Sequence, residues 1–140
     1  MAKDLQTLIR LNEWTVDERR RELGDVLNSL ESLENGLRRL REELVREQQA
    51  AQSSPAEAGL YYGNYAASVI QRRDHLNAGI VQMEAKVTEA RESLDEAYRE
   101  LKKFEVAQEN RDFELAHEAS RLEQIEMDEL GLQAHRMKRR

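Results

Sequence analysis

Apolar residues at alternating steps of three and four constrain a chain severely, because they mark one helix face that another helix must cover. Here that pattern runs through most of the sequence. From Leu23 the series reads Leu23, Val26, Leu30, Leu33, Leu37, Leu40 and Leu44, and backwards it passes Arg19, Val16, Asn12 and Ile9 to Leu5. A second series starts at Tyr62 and runs through Ala66, Val69, Arg73, Leu76, Ile80, Met83 and Val87 to Leu101 and Phe104. It can be followed to Leu132, but polar residues dominate from Gln108 to Glu118. The partner of the second seam is expected to be lost or to change there. Neither seam contains a proline, as helix interiors require.

Two seams in one chain predict an all-α fold, a two-helix antiparallel coiled-coil hairpin with a longer second helix. Pairing with other copies is the alternative. Helix 1 is expected over about 3–51 and helix 2 over about 55–135, with a tip at about 52–63. At about 1.5 Å per residue the arms would span about 75 and 120 Å. The extension at about 111–135 would be a lone helix, marginal unless something docks on it. Two registers align the seams. One centres the turn between Ala56 and Glu57 and sets Leu30 against Met83; a one-heptad slip centres it on Ser53 and sets Leu30 against Leu76. Turn chemistry favours a second helix that begins near residue 55, after a short loop around Gln52 and Ser53. Ser54 would be the N-cap, Pro55 the first helical residue and Glu57 the return arm of a capping box.

Composition supports long helices over a globule with a deep core. The 140 residues are 36% charged and 5% aromatic, with a net charge of −6. Charge is spread along the chain, so no basic arm points to nucleic acid. There is no cysteine, hence no disulfide framework. No run approaches the roughly 18 apolar residues of a membrane span, and nothing resembles an apolar signal core. A soluble cytoplasmic protein without membrane insertion is the expectation.

Catalytic patterns are absent from the sequence. It has no Walker-type or G-x-G-x-x-G loop, and its three histidines lie far apart. Glu114 and His117 have the spacing of four-helix carboxylate sites, but the further helices such sites need are not encoded. No enzyme activity, metal or cofactor is expected. Arg19, Arg20 and Arg21 alternate with nearby acids and read as a salt-bridged face. Trp14 lies off the seam, half-packed across the hairpin or exposed as an anchor for a partner. Gly59 and Gly63 fall in the first turns of helix 2 and weaken the tip. The same stretch, "AGLYYGNYAAS", gathers three of the four tyrosines. Tyr62 is the seam layer, near Leu44 or Ala51 according to register. Tyr61 and Tyr65 either cap the core or anchor a partner.

Several stretches resemble the FliJ family of the flagellar type III export apparatus. They are "LIRLNEWTVDERRREL" near the start, "YYGNYA" at mid-chain and "ELKKFEVAQENRDFE" in helix 2. The resemblance implies an antiparallel coiled coil that acts as a stalk in the hexameric export ATPase. It also implies links to the membrane export gate and to export chaperones, at the cytoplasmic side of the flagellar basal body. The corresponding stalk of an injectisome, or a coiled-coil scaffold without an ATPase partner, are the rival readings. On this resemblance and the apolar residues at the hairpin's open end, Leu5, Leu8, Ile9, Trp14, Phe104, Arg111 and Phe113 are expected to meet the ATPase. Tyr61, Tyr65 and Ile70 are expected to face the gate.

Overall fold

A computed structural model describes residues 2–53 and 55–139, with side chains for 5–53 and 61–139. All described secondary structure is helical: α1 spans Ala2–Ser53 and α2 spans Pro55–Lys138. Residues 52 and 53, expected in a loop, belong to α1, and the Ser53 hydroxyl donates to the Gln49 carbonyl at 3.2 Å within that last turn. Pro55 opens α2 as expected. The expected N-cap at Ser54 and the Glu57 side chain lie outside the described residues. No described helix is long and apolar enough to cross a membrane.

The chain divides into two compact units, one of Thr15–Ala97 and one of Met1–Trp14 with Tyr98–Arg140. In the first, the two seams are the covered positions. Val16, Leu40, Val69, Val87 and Ala97 are buried, and Leu23, Leu30, Leu37, Leu76, Ile80 and Met83 are half-buried. Among the described residues no large side chain is completely enclosed. The core is one layer thick, so each apolar side chain contributes less than the roughly 1.5–3 kcal/mol of full burial.

Contacts across this unit establish direction and register. A Cβ built on Gly36 would stand 3.4 Å from Leu76 Cδ2, and one built on Gly79 would stand 3.3 Å from Leu33 Cδ1. Arg72 pairs with Glu43 at 3.4 Å. As α1 numbers rise, α2 numbers fall, so the helices are antiparallel. Tyr62 shares a groove with Ala51 and Gln48. These contacts are those of the register centred between Ala56 and Glu57, and the slipped register, with Tyr62 at Leu44, is not the one adopted.

Each helix brings a Leu-x-x-Gly to this level, Leu33 to Gly36 and Leu76 to Gly79. Each leucine covers the other helix's glycine. Both glycines are ordinary helical residues without positive φ. They serve the close approach rather than a turn, at a helix-propensity cost of about 1 kcal/mol each.

Polar seam positions are handled locally. Arg73 is exposed and reaches Asp74 at 3.7 Å. The three consecutive arginines form the expected ion-paired face: Arg19 to Glu22 at 3.1 Å, Arg20 to Asp17 at 4.0 Å and Arg21 to Glu18 at 3.2 Å. Exposed pairs at this spacing add about 0.5 kcal/mol or less each.

In the second unit the seam positions are again the covered ones. Leu5 is buried, while Ile9, Asn12, Leu101, Phe104 and Gln108 are half-buried. Asn12 donates its amide to the Leu8 carbonyl at 2.7 Å, one turn back. Gln108 donates to Asp112 at 2.8 Å, but its amide oxygen is enclosed without a partner. Beyond it, every residue from Arg111 to Arg139 is exposed. The loss of the seam's partner, expected from the polar run at Gln108 to Glu118, takes place there.

Candidate functional site

The residues expected to meet an ATPase all lie in the second unit, but they divide by environment. Leu5 is 8% exposed and Ile9 and Phe104 are half-buried, so these three hold the seam. Leu8, Trp14, Arg111 and Phe113 are exposed, Trp14 at 61% and Phe113 at 72%. Trp14 is thus an exposed indole and not a half-packed one.

Leu11 escaped the sequence reading. It is exposed and lies three residues from both Leu8 and Trp14. Steps of three on a helix leave successive side chains about 60° apart. Leu8, Leu11 and Trp14 therefore make one ridge winding along the outer side of α1. The signal was available, because i, i+3, i+6 spacing beside a seam marks a second, narrower apolar stripe. On α2, Phe113 lies over His117 with ring centroids 6.3 Å apart and planes within 6°. His117 is exposed and stacked there, and Glu114 is exposed beside it.

The tyrosines lie in the first unit. Tyr61 is 65% exposed, while Tyr62 and Tyr65 are half-buried. Tyr61 and Tyr65 stack with centroids 6.4 Å apart and planes within 11°. Tyr62 and Tyr65 are tilted at 40° and 6.5 Å apart. The Tyr65 hydroxyl oxygen is enclosed without a partner in hydrogen-bond geometry, yet Glu43 of α1 is close enough to act on it. Burial pushes its pKa above the usual value of 10.0, and the Glu43 and Glu47 carboxylates add to the rise while Arg72 opposes it. Tyr65 therefore lies beside the Glu43 side of α1 and carries Tyr61 on its outer face.

Ile70 does not join that pair. It is exposed, but five residues past Tyr65 it stands about 140° further round the helix. The expected three-residue patch is a tyrosine pair on one flank of α2 and an isoleucine on another.

Two exposed apolar groups on a paired helix suit binding. Comparison with known proteins gives them a context. The family model described as "Flagellar FliJ protein" matches residues 1–140. Two curated relatives, each named "Flagellar FliJ protein", come from Caulobacter vibrioides strains NA1000 / CB15N and ATCC 19089 / CIP 103742 / CB 15. Each is 28% identical over 132 residues, which covers 94% of this chain and 94% of the relative. No solved structure matches the chain. A family match over the full length, on a chain whose two seams pair as antiparallel helices, leads to one conclusion: the chain belongs to the FliJ family of flagellar proteins.

Proposed function

We propose that this FliJ-family chain is a non-enzymatic stalk of the flagellar type III export apparatus, acting by binding at the cytoplasmic side of the basal body. The unit of residues 1–14 and 98–140 binds the hexameric export ATPase. The tyrosine-bearing flank near Tyr61 couples it to the export gate, and export chaperones dock on the same protein. The observation that carries this reading is the exposed ridge of Leu8, Leu11 and Trp14, together with Phe113 on an α2 segment that no described residue covers. Exposed aromatic side chains such as Trp14 and Phe113 are efficient anchors, because each buries a large apolar area while immobilising few rotatable bonds.

Truncation after Val106 tests the proposal. The shortened chain should retain a helical, cooperatively melting hairpin and lose its stimulation of ATP hydrolysis and of ring assembly by the export ATPase. Full stimulation by the truncated chain would remove the ATPase assignment.

A further inference from the structure

The exposed part of α2 is polarised in charge. From Asp112 to Glu129 it carries seven acidic residues against one cation, Arg121. From Leu130 onward the sequence carries Arg136, Lys138, Arg139 and Arg140 and no acid. Elsewhere the chain interleaves its charges, as at Arg19 to Glu22. The last turns of α2 are also amphipathic. Leu130, Ala134 and Met137 follow i, i+4, i+7 spacing and share one face with Met127 before them and Lys138 at its edge, whereas His135, Arg136 and Arg139 lie on the opposite side with Leu132 among them. Asp128 and Glu129 take that opposite side only in the turn before Leu130. Leu130 is 61% and Met137 79% exposed, and no described residue covers either face.

We infer that the segment from Leu130 to the basic residues beyond it is an interfacial helix that docks on an anionic lipid surface. An apolar strip set against a basic face is the form taken by helices that lie in the headgroup layer, with cations on lipid phosphates and apolar side chains at the acyl boundary. Two other occupants fit less well. A second copy laid antiparallel would set each basic end against the acids near Asp112, but it would also bring Glu123, Glu126 and Glu129 of each chain against their twins, where like charges repel. Nucleic acid would use the cations but leave Leu130 and Met137 in water, and His135 is the single ring the segment offers for a base to stack on. The inference stands apart from the ATPase reading, since it concerns other side chains and another partner.

Sedimentation of the full-length protein with vesicles tests it. The protein should pellet with phosphatidylglycerol/phosphatidylcholine vesicles at low salt, remain in solution with phosphatidylcholine alone, and be released by high salt. Arg136→Glu/Arg139→Glu should abolish binding. Leu130→Gln/Met137→Gln, which leaves every charge in place, should weaken it about tenfold. Absence of binding to the anionic vesicles by the wild type overturns the inference. So does unchanged binding by Leu130→Gln/Met137→Gln, because that outcome marks a general polyanion site. Circular dichroism of each variant checks that the helical content is intact, and the ATPase stimulation of the same variants reports separately on the proposed stalk function.

Discussion

Leu33 Cδ1 lies 3.3 Å from the place a Cβ would take on Gly79, and Leu76 repeats the contact over Gly36 at 3.4 Å. At this level each helix lays a leucine on the other's backbone. Alanine at Gly79 gains helix propensity and loses contact comfort, whereas alanine at Gly24, with open space around it, gains propensity alone. Gly24→Ala should stabilise the protein by about 1 kcal/mol, and Gly79→Ala by clearly less. Urea midpoints compare the two, and an equal gain at both would mean that Leu33 retreats freely.

The reciprocal leucines also select the register. Leu30→Cys/Met83→Cys should form a disulfide within one chain under mild oxidation. Leu30→Cys/Leu76→Cys, the pair of the slipped register, should remain reduced, because a one-heptad offset moves the Cα atoms beyond bridging distance. Non-reducing gel mobility reads the result, and efficient closure of the second pair would assign the other register.

Tyr65 predicts an alkaline transition. Its folded-state pKa lies above its ordinary value, with burial the first cause and Glu43 the second. The folded state therefore keeps the phenolic proton more tightly than the unfolded chain. The contribution is fully present below about pH 10 and is lost as pH rises through the folded pKa. Tyr65→Phe should remove the latest step from the phenolate absorbance titration, and Glu43→Gln should move that step to lower pH. Loss of an ordinary step near pH 10 in Tyr65→Phe, with no shift in Glu43→Gln, would place the hydroxyl in water.

Anchors and seam residues should separate under substitution. Leu11→Ala/Trp14→Ala removes side chains exposed on α1 and should shift stability by less than about 1 kcal/mol while weakening capture of the export ATPase tenfold or more. Leu5→Ala removes a buried side chain and should cost about 2 kcal/mol of stability. Thermal melts and ATPase pull-down, run on both variants, give the comparison. Wild-type capture by the double variant would clear the ridge of that role.

Tyr61 and Tyr62 make a similar contrast near the tip. Tyr61→Ala should leave the melting temperature within a degree or two and reduce binding to the export gate, and Tyr62→Ala, beside Ala51, should do the reverse. Gate binding that survives Tyr61→Ala would leave the tyrosine stack a cap on the hairpin.

Both helices, their seams and the fading of the second seam near Gln108 were legible in the sequence, because heptad spacing is a one-dimensional record of which face is covered. Register was not legible. Leucine meets an apolar layer in either alignment, and the decision rests on the fit of Leu33 and Leu76 over two glycines, which spacing alone does not describe. Tyr65 beside Glu43 depends on that register in turn, so its raised pKa was equally hidden. Ile70 was grouped with the tyrosines on nearness in sequence, although helix geometry already turns it away from them. The helicity of residues 52 and 53 was missed because polar residues near a lone proline read as a loop, while Ser53 bonds back to Gln49 and extends the helix.

The uncovered stretch from Arg111 to Arg139 is held by its own ladder and by pairs such as Arg121–Glu118 at 2.7 Å and Gln124–Asp128 at 3.2 Å. Such a helix frays on its own schedule while the paired seams stay closed, and its amides should exchange with deuterium far faster than those near Val87. Any partner that grips this stretch in helical form then binds only the fraction of molecules that is wound at that moment. Affinity becomes adjustable from inside the segment. A substitution such as Glu118→Gln, which unwinds it slightly, would loosen every such partner at once without touching the surface that any of them contacts.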